Sequence, residues 1–245
     1  MIPIKDDAPR ARFPYWVLLL IAVNLWVFGW QLGLDAAERQ AFAFRYGLVP
    51  SSVVPRWEQL LQDPGLLFGF DMLRFAVVPL VSSAFLHAGP LHLLGNLLFL
   101  WVFGDNVESR FGYKRFPIFY LLCAMGAGVV HAGMQPDSGV PMVGASGAIS
   151  GCLGAYLVLH PRAQVKLLLP FLIIVFVDIR AWVMLPIWFA IQLPWVQHAL
   201  GFLEVQGVAY WAHIGGFLLG IALLPLLLIF NPDPLKAKER ARRQR

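Results

Sequence analysis

Charge is what this sequence has least of. Lys, Arg, Asp and Glu make up 13% of its 245 residues, whereas 59% are hydrophobic; soluble domains carry about 25% charge. With a mean hydropathy of +0.68, so few charges cannot cover a 27.4 kDa soluble globule. Cysteine is nearly missing too: Cys123 and Cys152 both lie in apolar stretches, which excludes a disulfide scaffold and reads as small core residues. Internal repeats and low-complexity linkers are lacking, so coiled coil, collagen and disorder are excluded and one domain is expected. There is no H-E-x-x-H, and His87 and His92 have no third ligand at useful spacing, so no metal and no cofactor are expected. What is abundant is aromatic residue, 14% of the chain with nine Trp, as suits a protein anchored at two membrane–water interfaces. The expectation is an all-α polytopic membrane protein.

A crossing helix needs about 20 mostly apolar residues. Such runs fall at 15–34, 89–107, 116–134, 143–160, 179–195 and 208–230, which predicts a six-transmembrane-helix bundle. Lys5, Arg10 and Arg12 precede the first, placing the N-terminus inside by the positive-inside rule. Over residues 236–245, Lys236, Lys238, Arg240, Arg242, Arg243 and Arg245 face a single Glu239, which equals the whole net charge of +5. An even number of crossings keeps that tail inside as well, and it reads as a membrane anchor rather than a nucleic-acid patch. The expected organisation is a short cytoplasmic segment 1–14, a membrane domain 15–230 and a basic cytoplasmic tail 231–245. Residues 35–86, charged with both signs and rich in Pro and aromatics, are expected as a membrane-associated first external loop. The apolar run 165–177 contains Pro170 and ends at Asp178 and Arg180; it is too short to cross and is expected to be interfacial or re-entrant on the cytoplasmic side.

Polar groups inside spans are costly and mark function by default. Ser146 opens the fourth span, His213 the sixth, and His92 with Asn96 the second. Even-numbered spans all begin on the outer side, so these four residues share one depth, about 5–10 Å below the surface at 1.5 Å rise per residue. Ser with His is the minimal nucleophile–base pair for acyl transfer. His92 and Asn96, four apart, share a helix face; both can donate to an oxyanion beside the Ser146 backbone amide at a helix N-terminus. No third acid is apparent, because Asp178 falls toward the cytoplasmic end of the fifth span; a dyad is expected. Gly147, Gly151 and Gly154 form one smooth stripe and Gly216 and Gly220 another, and small residues of this kind let helices approach closely in lipid.

Three motifs in order, H-x-x-x-N at His92–Asn96, G-x-S-G at 144–147 and A-H-x-x-G-x-x-x-G at 212–220, resemble the rhomboid intramembrane serine proteases over about residues 70–230. The resemblance implies Ser146 as nucleophile, His213 as general base, and His92, Asn96 and the Ser146 amide as the oxyanion hole. Glu108 and Arg110 look like the family's E-x-R-x-G segment, which carries structural weight. It also implies cleavage of single-span or polytopic membrane proteins in or near their spans. Many members carry a Tyr one turn after the nucleophile where this chain has Ser150; Trp211 is the expected aromatic beneath His213.

Two other readings compete: an inactive rhomboid-like protein that binds membrane clients, which would have lost Ser or His, and a transporter, which would spread polarity through both leaflets. The lipid bilayer is the expected environment, with a bacterial cytoplasmic membrane as the default, and no nucleic-acid partner is expected. His87 is expected to pack a loop, and His131, His160 and His198 to be solvated or interfacial. Asn24 is expected to bond across helices, and the loop 196–207 beside the fifth span to act as a lid.

Overall fold

Eighteen apolar residues build the first helix, α1 (Tyr15–Leu32). The computed structural model describes residues 2–170, 174–199 and 208–229; the basic tail and most of the expected lid lie outside them. After α1 the expected external loop is helical. Asp35 opens α2 (Ala36–Tyr46) with a capping box, its carboxylate accepting from the Glu38 N–H at 2.8 Å while Glu38 accepts from the Asp35 N–H at 2.9 Å. Next come α3 (Pro50–Gln62) and two helical stretches, α4 (Leu73–Phe85) and α5 (Pro90–Phe111), that meet at 85°. Each contains one π-helical turn, Leu73–Val77 and Leu100–Gly104.

The rest of the bundle is α6 (Phe116–Met134), α7 (Ser146–Leu159), α8 (Ala181–Ala190), the short α9 (Pro194–Ala199) and α10 (Tyr210–Leu228). Every expected span therefore contains a helix, but not all are of crossing length. Among the described residues α1, α6 and α10 are long and apolar enough to cross, with a fourth crossing if the bent α4–α5 pair is one span. With 14 and 10 residues, α7 and α8 reach only about 21 and 15 Å, short of a hydrocarbon core of about 30 Å. For α7 the extended stretch before Ser146 makes up part of the difference: Leu48 and Met142 exchange backbone hydrogen bonds of 3.0 and 2.8 Å there.

At the centre lies α7, buried continuously from Gly147 to Tyr156. It can be buried because it is thin. A methyl group at Gly216 would land on the Gly147 carbonyl, one at Gly220 on the Gly151 backbone, and one at Gly154 on the Phe217 carbonyl. On its other side Gly147 faces the Ala127 methyl of α6 and Gly151 faces Cys123, where Cys123 and Cys152 are buried free thiols. The two glycine stripes thus seat α10 directly on α7.

The segment 165–177 is neither a re-entrant helix nor part of the fifth span. It is a β-hairpin, β2 (Gln164–Pro170) with β3 (Ile174–Arg180), joined by an N-terminal strand β1 (Ile2–Asp6) into an antiparallel sheet of order β1-β2-β3. Ile2 pairs with Leu168, Asp6 with Val165, and Gln164 with Arg180. Alternation explains the strand: Val165 and Leu167 are fully buried while Lys166 between them reaches Asp178 at 3.4 Å. β1 is held to the bundle by charge. Arg10 pairs with Asp6 at 3.3 Å and Asp105 at 2.9 Å, Asn106 donates to Asp6 at 2.8 Å, and the Tyr156 hydroxyl donates to Asp6 from the end of α7.

Glu108 supplies what α1 lacks. Pro14 offers no side-chain cap, and the Glu108 carboxylate accepts the Trp16 and Val17 N–H groups at 3.0 and 2.9 Å, satisfying two first-turn donors. Ser109 accepts from Ala11 and Arg12, whose guanidinium covers Gly112 at φ +79°. Arg110 is half-buried at the end of α5.

Candidate active site

The N-terminal ends of α5, α7 and α10 and the C-terminal end of α8 converge on one cavity of about 400 Å³, lined by His92, Asn96, Ser146, Ser150, Trp188 and His213 among others. Ser146 is the first residue of α7 and His213 sits in the first turn of α10. Because the glycine stripes bring these helices into backbone contact, the two side chains meet: His213 Nε2 lies 2.8 Å from Ser146 Oγ. The other ring nitrogen, Nδ1, lies 2.9 Å from Gln192 Oε1 just after α8. Trp188 and Tyr210 flank the imidazole at ring-centroid distances of 6.0 and 6.4 Å.

Gly144 is glycine for two reasons. Its φ of +126° is unfavourable to any side chain, and a Cβ there would come within 2.7 Å of the His92 ring. The absent side chain lets the His92 imidazole lie against the backbone beside Ser146. His92 Nδ1 accepts from the Ala88 N–H at 3.3 Å, which makes Nε2 the protonated, donating nitrogen of the neutral ring. Asn96 donates one amide hydrogen to the His92 carbonyl at 2.8 Å, leaving its second for the cavity. The Ser146 amide stands in the first turn of α7, where the helix itself provides no acceptor. Donors from two helices therefore line the cavity that the serine side chain also lines.

The family model of the rhomboid domain matches residues 74–230. The chain belongs to the rhomboid family. Similar proteins include RHOMBOID-like protein 6, mitochondrial, of Arabidopsis thaliana, 31% identical over 157 residues that cover 61% of this chain and 43% of that protein. Rhomboid protein 1, mitochondrial, of Saccharomyces cerevisiae is 32% identical over 150 residues, 59% of this chain and 40% of its own length. Rhomboid protease GluP of Bacillus subtilis is 41% identical over 78 residues, 32% of this chain and 15% of its own. The chain thus spans less than half the length of these relatives. The rhomboid domain and the apolar helices make this an integral membrane protein, in a family that includes proteases.

Within this rhomboid fold several sequence expectations need correction. The aromatic rings beside His213 are Trp188 and Tyr210 rather than Trp211. Ser150, in place of the usual Tyr, turns its hydroxyl to the Ser146 carbonyl at 2.7 Å and so leaves room for Gly216. His131 is buried at 6% exposure on the inward face of α6, not solvated; His198 is exposed. Asn24 donates within its own helix, to the Leu20 carbonyl at 2.7 Å, instead of across helices. His87 packs its ring against His92 at 5.2 Å, and its backbone exchanges two hydrogen bonds of 3.1 Å with the Gln31 side chain. Asp178 sits on β3 with Lys166. Among the described residues no group of three His, Cys, Asp or Glu could hold a metal ion.

Sequence reasoning missed Gln192, which is 8% exposed. A signal was there: it is the one polar side chain between Ala181 and Leu193, and intramembrane polarity is the rule that singled out the other four residues.

Proposed function

We propose that the protein is an intramembrane serine endopeptidase that hydrolyses peptide bonds in or near the spans of membrane proteins. The observation that carries the reading is the 2.8 Å contact of His213 Nε2 with Ser146 Oγ at a cavity rimmed by His92 and Asn96. His213 Nε2 takes the hydroxyl proton as Oγ bonds to the scissile carbonyl carbon. The carbonyl oxygen becomes an oxyanion that accepts from His92 Nε2, the free Asn96 amide hydrogen and the Ser146 N–H. The proton then passes from His213 to the leaving amine as the C–N bond breaks, and a water repeats the cycle on the acyl-enzyme. Substrate enters from the side between α5 and α8, where Phe99 and Trp188 meet at 6.4 Å over the cavity.

The proposed setting is a bacterial cytoplasmic membrane with both termini inside. The basic residues before α1 and after residue 235 support the orientation. The test is cleavage of a tagged single-span membrane protein by purified enzyme in liposomes, beside Ser146→Ala and His213→Ala. Both variants should fold normally and lose at least about 1,000-fold in rate, and a fluorophosphonate probe should label wild type and not Ser146→Ala. Cleavage that survives Ser146→Ala overturns the reading.

A further inference from the structure

The imidazole of His213 can serve as a base at Nε2 only if the proton sits on Nδ1, and the cavity itself does not choose between the tautomers. A serine hydroxyl accepts as readily as it donates, so the 2.8 Å contact with Ser146 is compatible with either. The choice has to be made on the far side of the ring. There Gln192 Oε1 lies 2.9 Å from Nδ1. An amide side chain presents either an acceptor or a donor, depending on which way it is turned. What turns it is a backbone carbonyl: Gln192 Nε2 donates to the Trp188 oxygen at 3.3 Å, one turn back on α8.

A carbonyl can only accept, so it must face the NH₂ end. The amide oxygen then faces His213, Nδ1 must carry the proton, and Nε2 is left with its lone pair toward the Ser146 hydroxyl. We propose that Gln192 is a positioning residue that sets the tautomer of His213 through a one-way relay running Trp188 C=O, Gln192 amide, His213 imidazole, Ser146 hydroxyl. An uncharged amide does here the orienting part of what a carboxylate does in a triad. It does so at 8% exposure, where an unpaired carboxylate would be costly to bury. The rings of Trp188 and Phe217, 6.2 Å apart, brace the same end of α8 against α10, so the accepting carbonyl and the imidazole stay in register.

The proposal rests on the serine-protease reading, and its test separates the two. Cleavage is measured for the full chain in liposomes as wild type, Gln192→Met and Gln192→Glu, with Ser146→Ala as the blank. Met keeps length and packing but removes the acceptor; Glu restores an acceptor facing Nδ1. Gln192→Met should lower kcat about tenfold, the effect of one neutral hydrogen bond, with KM unchanged, and Gln192→Glu should recover most of the loss. A Met variant with wild-type kcat, or a Glu variant as slow as Met, overturns the proposal, since packing alone would not distinguish them in this way. Solid-state NMR of ring-labelled histidine in the wild type gives an answer that needs no variant to fold: Nδ1 of His213 should be protonated and Nε2 bare, and the reverse overturns it. Cleavage that persists in Ser146→Ala would remove the protease reading, while the tautomer measurement would still report on the relay.

Discussion

The two ends of α7 solve opposite problems with polar side chains. At the Ser146 end the groups are a hydroxyl, two imidazoles and two carboxamides at or beside a cavity, each hydrogen-bonded to one or two partners, with His92 Nε2 and one Asn96 amide hydrogen left over. At the Tyr156 end, ten residues on, the ionisable side chains of Asp6, Asp105 and Arg10 are tied to one another and to Tyr156 and Asn106. Charge is expensive to bury unless it is paired, so it appears where the partners are permanent and serves to fasten β1 to the bundle. Neutral donors and acceptors cost less to leave half-satisfied. They appear where the proposed reaction has a transient oxyanion to accept and release.

The largest test of that contrast is steric. Gly216→Val pushes a side chain, from about one turn after His213, into the carbonyl of Gly147, the residue that follows Ser146. It should cost about 3 kcal/mol of stability and at least about 100-fold in cleavage, read by thermal unfolding and by the liposome assay. Next comes Asn96→Ala, which removes a donor proposed for the oxyanion and should lower kcat about 100-fold with the melting temperature nearly unchanged. At the other end the signs should reverse. Tyr156→Phe deletes the hydroxyl bonded to Asp6 and should cost about 1–2 kcal/mol in unfolding while cleavage stays within about twofold of wild type; a large kinetic effect would mean that the two ends are coupled. Smallest of all, Lys166→Ala breaks a half-exposed pair with Asp178 and should change stability by less than about 0.5 kcal/mol.

Much of the membrane bundle is legible from local pattern, because α1, α6 and α10 are long apolar runs whose composition alone makes them helices. The site was legible for a different reason. Ser146, His213, His92 and Asn96 are polar in apolar surroundings, and the expected parity of crossings puts distant spans at one depth. The sheet was not legible. In the nearly continuous apolar stretch 163–195 the two-residue period of a strand is drowned, and β1 becomes a strand only by pairing with residues about 160 positions away, which no local signal records. Gln192 was hidden in the same stretch: its partner is an atom of His213, and the short α8 that precedes it reads as part of a longer span.

The pairing of β1 also sets a schedule. Ile2 bonds beside Leu168, so at about 5–20 residues per second the first strand leaves the ribosome roughly 10–30 s before its partner exists. All of α1 to α7 is made during that interval, with an apolar strand edge waiting in the open, the kind of edge that invites pairing with other chains. The strand is built to wait. Pro3 withholds a backbone donor, a bulge between Pro3 and Lys5 breaks the register, and Lys5, Asp6 and Asp7 crowd its end with charge. Asp6 is later taken up by Tyr156 and Arg10; a side chain that guards the nascent strand becomes the bolt that locks it.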